Sequence, residues 1–365
     1  MLVVGIGVAA VAVGQRAETA PPTAPAVPGP AAEASTETVP GLDAPAEPLP
    51  ALLPLPARLR EEGGVLWWSS EDCRVGSVAL ASGEVSAVEG EHCRVWPAPA
   101  GGGAVVATTA AARALSGGGL LRLRASSAAP TEPGARTEGL LGSELVWSGD
   151  GGIYAVCLGT RNGPVVELVG LNGERAVAEG ACSPGWLADG RLALARPGTP
   201  SVEVEGTVLL GPGEIGELLP SVPRGARRTV SALGADGGRI AVGLVVVDGM
   251  RPLPHHGALA VLGEEGTLLF AASLRPDTLP AAIALSPDGS ALWYHDAGKG
   301  TATILSLPGG RRFPPFGAGW VAWSPSGRYL AATSPDGIVL SAWPEGERIA
   351  VVPVLARDVA WAREP

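Results

Sequence analysis

The chain has 365 residues, 53 of them Gly and 35 Pro, with 46% hydrophobic and 17% charged residues. Gly and Pro together reach about 24%, twice the usual share, which excludes a protein of long helices, and the apolar content excludes a wholly disordered one. The formal charge is −10, and Lys299 is the single lysine among 26 basic residues, which argues against a general nucleic-acid binder, whose affinity rests on neutralising phosphates.

Residues 2–13 form an uncharged apolar run ended by Gln15 and Arg16. It is shorter than the roughly 20 residues a membrane-crossing helix needs, and it fits the length of a signal h-region. Ala10-Val11-Ala12 offers a small-x-small cleavage pattern, but no basic segment precedes it. Residues 1–16 are therefore expected to be a signal peptide or a truncated membrane anchor. Residues 17–60 hold eleven Pro in 44 positions with Ala, Glu and Thr between them. Such a segment favours extended polyproline II and buries little, so it is expected to be a disordered spacer. The order apolar segment, spacer, body at 61–365 is that of a domain held away from a membrane. It implies an extracytoplasmic location, tethered or secreted, with membrane contact through the N-terminal segment only.

From Gly64 onward a pattern recurs: a hydrophobic run, often with Trp, then a tight turn, then a second apolar run. The copies are Val95–Gly101, Val146–Gly151, Gly185–Gly190, Ala232–Gly237, Ala284–Gly289 and Ala322–Gly327. Their closing glycines are 50, 39, 47, 52 and 38 residues apart, a spacing typical of four-stranded propeller blades. Pro and Asp ahead of Gly suit a hairpin turn, and two further strand-like runs follow, as at 338–342 and 347–352. A seventh, split copy completes the set, with 358–362 as first strand and 65–68, 75–80 and 84–88 as the other three. The prediction is an all-β, seven-bladed β-propeller (six-bladed as alternative). Three N-terminal strands and one C-terminal strand close the ring and leave no open sheet edge.

Ala284-Leu285-Ser286-Pro287-Asp288-Gly289 and Val321-Ala322-Trp323-Ser324-Pro325-Ser326-Gly327-Arg328-Tyr329-Leu330 resemble the repeats of TolB-type, WD40-like (PD40-repeat) β-propellers. Ser326 stands where that pattern has Asp, and Ala100 does the same in the first copy. The resemblance covers about 300 residues and implies a fold and an extracytoplasmic binding scaffold; it carries over no catalytic residue.

Four cysteines allow three pairings. On the strand map Cys73 and Cys157 each end a second strand, whereas Cys93 and Cys182 each begin the first strand of the following blade. The equivalence selects Cys73 with Cys93 and Cys157 with Cys182, bridges that persist in oxidising compartments.

Chemistry is sparse in the sequence. Gly211-Pro212-Gly213-Glu214-Ile215-Gly216 satisfies GxGxxG, but Pro220 and Pro223 follow where a helix should run, so it is expected to be a loop. No cofactor, metal or catalytic motif stands out. The candidate binding residues lie in connections on the face that carries the disulfides, beside repeat copies three to five. They are Arg224, Arg227 and Arg228 in 219–228, Arg251, His255 and His256 in the Pro-rich loop 247–257, Arg275 in 274–281, and Phe316 in 313–319. Arginine beside exposed aromatics suits a protein partner or an anionic ligand. The expected function is a non-enzymatic binding or sensing module. The alternatives are a hydrolase or lyase acting in the central channel, and the sensor half of a longer signalling protein.

Overall fold

The computed structural model describes residues 52–88, 90–99, 104–108, 120–123, 132–133, 140–160, 162–170, 175–196, 198–249, 251–307, 309–313 and 319–363. The expected leader, most of the expected spacer, Ala100, Gly101 and Phe316 lie outside these residues.

The repeated turns show why strands begin and end where they do. Ser148 Oγ donates to the Asp150 carboxylate at 2.6 Å and accepts the Ile153 amide at 3.0 Å, and Asp150 accepts the Gly152 amide at 2.9 Å. Ser286, Asp288 and Ala291 repeat this, with Ser286 Oγ 2.6 Å from Asp288 and 2.9 Å from the Ala291 amide. In both turns the glycine that follows Asp has positive φ, +69° at Gly151 and +66° at Gly289, a conformation that carries little penalty without a Cβ. Each turn ends a first strand and starts the second beside it.

Numbered in chain order, the described residues form seven four-stranded antiparallel sheets. The first is split. Asp358–Ala362 pairs with Val65–Ser69, which is followed by Val75–Ala79 and Glu84–Ala87, as expected from the two chain ends. The second contains His92–Pro97, Ala104–Thr108, Leu120–Leu123 and Glu132–Pro133; the third Leu140–Trp147, Ile153–Thr160, Gly163–Gly170 and Arg175–Glu179. The fourth contains Cys182–Trp186, Leu192–Arg196, Ser201–Val204 and Thr207–Leu210; the fifth Arg227–Asp236, Arg239–Asp248, Arg251–Gly263 and Leu268–Ser273. The sixth contains Pro280–Leu285, Ala291–Asp296, Thr301–Ser306 and Arg312–Phe313; the seventh Val321–Trp323, Tyr329–Ser334, Gly337–Ala342 and Arg348–Val352. Every sheet is a meander of neighbouring strands, the all-β arrangement of a propeller. Buried clusters fill the space between consecutive sheets; one joins Leu187, Val202 and Ile215 to Val230, Ile240 and Leu244.

Four local expectations are corrected. Residues 52–60, assigned to the spacer, are packed: Leu53, Leu55 and Leu59 are buried with Leu66, Leu80, Ile338 and Val352. Helix α1 (Ala57–Glu62) begins just after Pro56, so the prolines here position the chain while the leucines between them fill the core. The GxGxxG segment is a short helix, α2 (Pro212–Leu218), and not a loop. Pro212 stands at a helix start, where its missing N–H costs nothing, Glu214 Oε2 accepts the Gly211 amide at 3.0 Å, and Ile215 and Leu219 are buried on one side. Residues 247–257 lie mostly within the long hairpin of the fifth sheet. Asp248 pairs with Arg251 and Val247 with Pro252, and residues 253–256 bulge before Val245 meets Gly257. The β-branched run 245–247 extends the ladder past the prolines. Cys73 sits in the turn after Val65–Ser69, at φ +62°, and Cys157 is internal to Ile153–Thr160, so neither ends a second strand.

Candidate binding face and central channel

Both expected disulfides are present: Cys73–Cys93 with a Cα–Cα distance of 3.9 Å, and Cys157–Cys182 with 5.1 Å. Each fastens one sheet to the first strand of the next. Two disulfides fit an oxidising, extracytoplasmic environment. Among the described residues no helix is long and apolar enough to cross a membrane.

The alternation of antiparallel strands sends the connections between sheets, and those between second and third strands, to the edge of the molecule where Cys93 and Cys182 begin their strands. The sequence-selected arginines gather there, around the fifth sheet. Arg224 and Arg227 are exposed in and just after the connection that enters this sheet. Arg227 pairs with Val247, which pairs in turn with Pro252, the neighbour of Arg251. Arg275 is exposed and follows Leu274, whose amide bonds the Gly257 carbonyl at 2.9 Å. Arg228 is set apart from the group: its Nε donates to the Leu219 carbonyl at 2.8 Å, holding the end of α2. His256 is half-buried, Arg251 pairs with Asp248, and His255 falls in the bulge between Pro252 and Gly257.

The first strands enclose a central cavity of about 400 Å³. Six sheets contribute strand residues to its lining and the seventh contributes Trp320, which immediately precedes Val321–Trp323. Five tryptophans line it, and their indoles also join neighbouring elements. Trp147 Nε1 donates to the Trp96 carbonyl at 2.9 Å, Trp186 Nε1 to the Val146 carbonyl at 3.2 Å, and Trp361 Nε1 to the Gly63 carbonyl at 3.2 Å. Two lining glycines mark tight strand contacts. A Cβ on Gly185 would come within 2.6 Å of Leu233 Cδ2, and one on Gly234 would collide with the Ile283 carbonyl oxygen.

Charge in the lining is confined to Arg94, Asp236 and Asp358. Asp358 opens its strand near the disulfide edge, and Arg94 follows Cys93 near the start of His92–Pro97. Arg94 Nε lies 3.8 Å from Asp358 Oδ2, and that oxygen also accepts Ser69 Oγ at 3.2 Å. Burial pulls the Arg94 guanidinium below its ordinary value, with Asp358 acting the other way. His295, whose ring lies 5.5 Å from that of Trp320, is also pushed down by burial; Asp296 and Asp358 oppose this and Arg94 adds to it. Asp236 closes its strand at the opposite edge. Burial pushes its carboxyl up, against the Gly237 amide and the charge of Arg363. Among the described residues no group of His, Cys, Asp and Glu is arranged to hold a metal ion.

The residues around the channel mouth were not singled out by sequence. A signal was present: Arg94 follows a disulfide cysteine at the start of an inner strand, and Asp358 opens the closing strand. Neither has any local motif of its own.

No family model matches the chain, and no curated protein does. Solved structures do. Hydrazine synthase of Kuenenia stuttgartiensis is 15% identical with a TM-score of 0.51, over 74% of this chain and 90% of that one. A functionally unknown protein from Desulfotomaculum acetoxidans is 12% identical with a TM-score of 0.49, over 83% and 99%. The Cps50 (Swd1) β-propeller domain of Myceliophteria thermophila is 13% identical with a TM-score of 0.46, over 71% and 86%. At these identities the likeness concerns the fold alone; the propeller arrangement of this chain rests on its own four-stranded antiparallel meanders.

Proposed function

We propose that this chain is an exported, seven-bladed propeller with TolB-like, WD40-like repeats, held at a membrane by its N-terminal segment or secreted, and that it acts as a non-enzymatic binding module. The observation that carries the reading is the convergence on one edge of both disulfides and of the exposed arginines 224, 227 and 275. Arginine forks on an otherwise acidic protein suit carboxylates of a protein partner or another anionic ligand. The test is affinity capture of extracytoplasmic proteins on the full chain and on an Arg224→Glu/Arg227→Glu variant, read by mass spectrometry. A partner held by the native chain and lost by the variant is the expected result; an identical set on both removes the reading.

A second reading, a hydrolase or lyase working in the channel, is favoured by one observation: the His295 ring lies 5.5 Å from that of the channel-lining Trp320, and burial lowers its pKa against the charges of Asp296 and Asp358. Turnover in a substrate screen that disappears in His295→Asn would select it.

A further inference from the structure

We infer that the central channel is itself a ligand site, separate from the arginine-bearing rim, and that it takes a small monoanionic carboxylate with an apolar or aromatic body, the carboxylate seated on Arg94. The Arg94 side chain is only 19% exposed, yet among the described residues its guanidinium makes no hydrogen bond. Its nearest acidic oxygen among the described residues, Asp358 Oδ2, lies 3.8 Å from Nε, beyond hydrogen-bond distance. A guanidinium lining a cavity with no protein acceptor in hydrogen-bond reach keeps its fork of donors open, and a ligand carboxylate can take two of them in parallel.

The rest of the cavity fits the body of such a molecule. Its volume, about 400 Å³, lies within the size range of small-molecule sites, about 300–1,000 Å³. Its walls are Val95, Val146, Leu233, Ile283 and Val359 with indole faces between them, an environment that rewards an apolar or aromatic group. The charge count selects a monoanion over a phosphate dianion. Arg94 is the single cation of the lining, Asp358 beside it already offsets part of its charge, and Asp236 at the opposite edge adds a second carboxylate, so a dianion is disfavoured more than a monoanion.

The site is also built to hold its shape. Arg94 follows Cys93, which is bonded to Cys73 in the turn after Val65–Ser69, and Asp358 pairs directly with Ser69 of that strand. The disulfide thus ties the strand that bears the cation to the sheet that bears its neighbouring carboxylate.

Calorimetric titration of the full chain with indole-3-acetate, and with indole-3-acetamide as its neutral counterpart, tests the proposal. The acid should bind, and the amide should bind roughly tenfold more weakly or worse. Arg94→Gln should weaken the acid by about ten- to a hundredfold and leave the amide unchanged. Inorganic phosphate should not compete. Asp358→Asn, which retains the guanidinium and removes the neighbouring negative charge, should bind the acid as well as the native chain or more tightly; it decides the matter if Arg94→Gln fails to fold. The proposal is overturned by equal binding of acid and amide, by an acid affinity indifferent to Arg94→Gln, or by competition from phosphate. It is equally overturned by a loss of about tenfold in Asp358→Asn, or by the absence of binding for indole-3-acetate, phenylacetate and hexanoate at about 10 mM.

Discussion

The first and fifth sheets contain the same number of strands and hold together by different means. The fifth is continuous in sequence, with strands of 10, 10, 13 and 6 residues, and buries Val230, Leu233, Ile240, Val242, Leu244 and Val246 in one cluster with the fourth sheet. The first has strands of five, five, five and four residues, and its inner strand comes from the other end of the chain. Around it lie a disulfide, the buried leucines ahead of and within α1, and two ion pairs from that helix to the seventh sheet, Arg58 with Glu347 at 2.8 Å and Glu62 with Arg328 at 2.7 Å. Long strands buried on their own sequence neighbours need little beyond apolar packing. Short strands brought together from distant parts of the chain must also offset a large loop-closure entropy, and cross-links do this most effectively.

The largest effect that would break this contrast is expected from removing residues 358–365. The first sheet loses its inner strand and the seventh loses its neighbour, and the cooperative thermal transition should disappear from the circular dichroism melt. A truncated chain that melts like the native one would show that the closing strand is dispensable. Next comes Cys73→Ser/Cys93→Ser, expected to cost about 3 kcal/mol in urea unfolding; a cost near zero would mean that packing alone suffices in the first sheet.

The fifth sheet should respond to shape instead. Gly234→Ala forces a methyl group against the Ile283 carbonyl and is expected to cost about 1–3 kcal/mol, again read in urea. Glu62→Gln should have a smaller effect, about 1 kcal/mol near neutral pH. Burial raises the Glu62 carboxyl, but hydrogen bonds from Ser326, Arg328 and Ser324 outweigh it and leave the group below its ordinary 4.5. Its contribution is therefore present above that value and fades as pH falls through the lower folded value, so the native and variant stability curves should merge in acid.

The smallest change expected is a rise in Tm for Asp236→Asn. The folded carboxyl lies above its ordinary 3.8, so its charged form disfavours the folded state at neutral pH. The gain from Asn should be present near pH 7 and should vanish as pH falls below the unfolded value. A gain that persists in acid would point to packing and not to charge.

The parts of the fold written in local chemistry were legible. Ser148-Gly149-Asp150-Gly151 and Ser286-Pro287-Asp288-Gly289 contain everything their turns require, so strand boundaries could be read beside them. The placing of 358–362 next to 65–69 followed from counting strands. Where the cue is shared with a distant segment, reading failed. At Ser326, which stands where the repeat pattern has Asp, the carboxylate comes from Glu62, 264 residues away, which accepts the Ser326 amide at 3.2 Å. The prolines at 54 and 56 looked like spacer because composition does not reveal that Leu53, Leu55 and Leu59 have a core to enter. The channel mouth was the least legible feature. Arg94, His295, Trp320 and Asp358 come from four different sheets and share no linear pattern, so only the closed arrangement brings them together.

The pairing of Ser69 with Asp358 also sets an order of events. Their separation of 289 residues means that Val65–Ser69 waits through the synthesis of everything between them before its inner edge is covered. Until then the first sheet is a template with an open side, and contacts of such high sequence separation form slowly. Closure of the ring is thus a late event by construction: it cannot precede the making of Asp358–Ala362, whatever the order in which the other six sheets form.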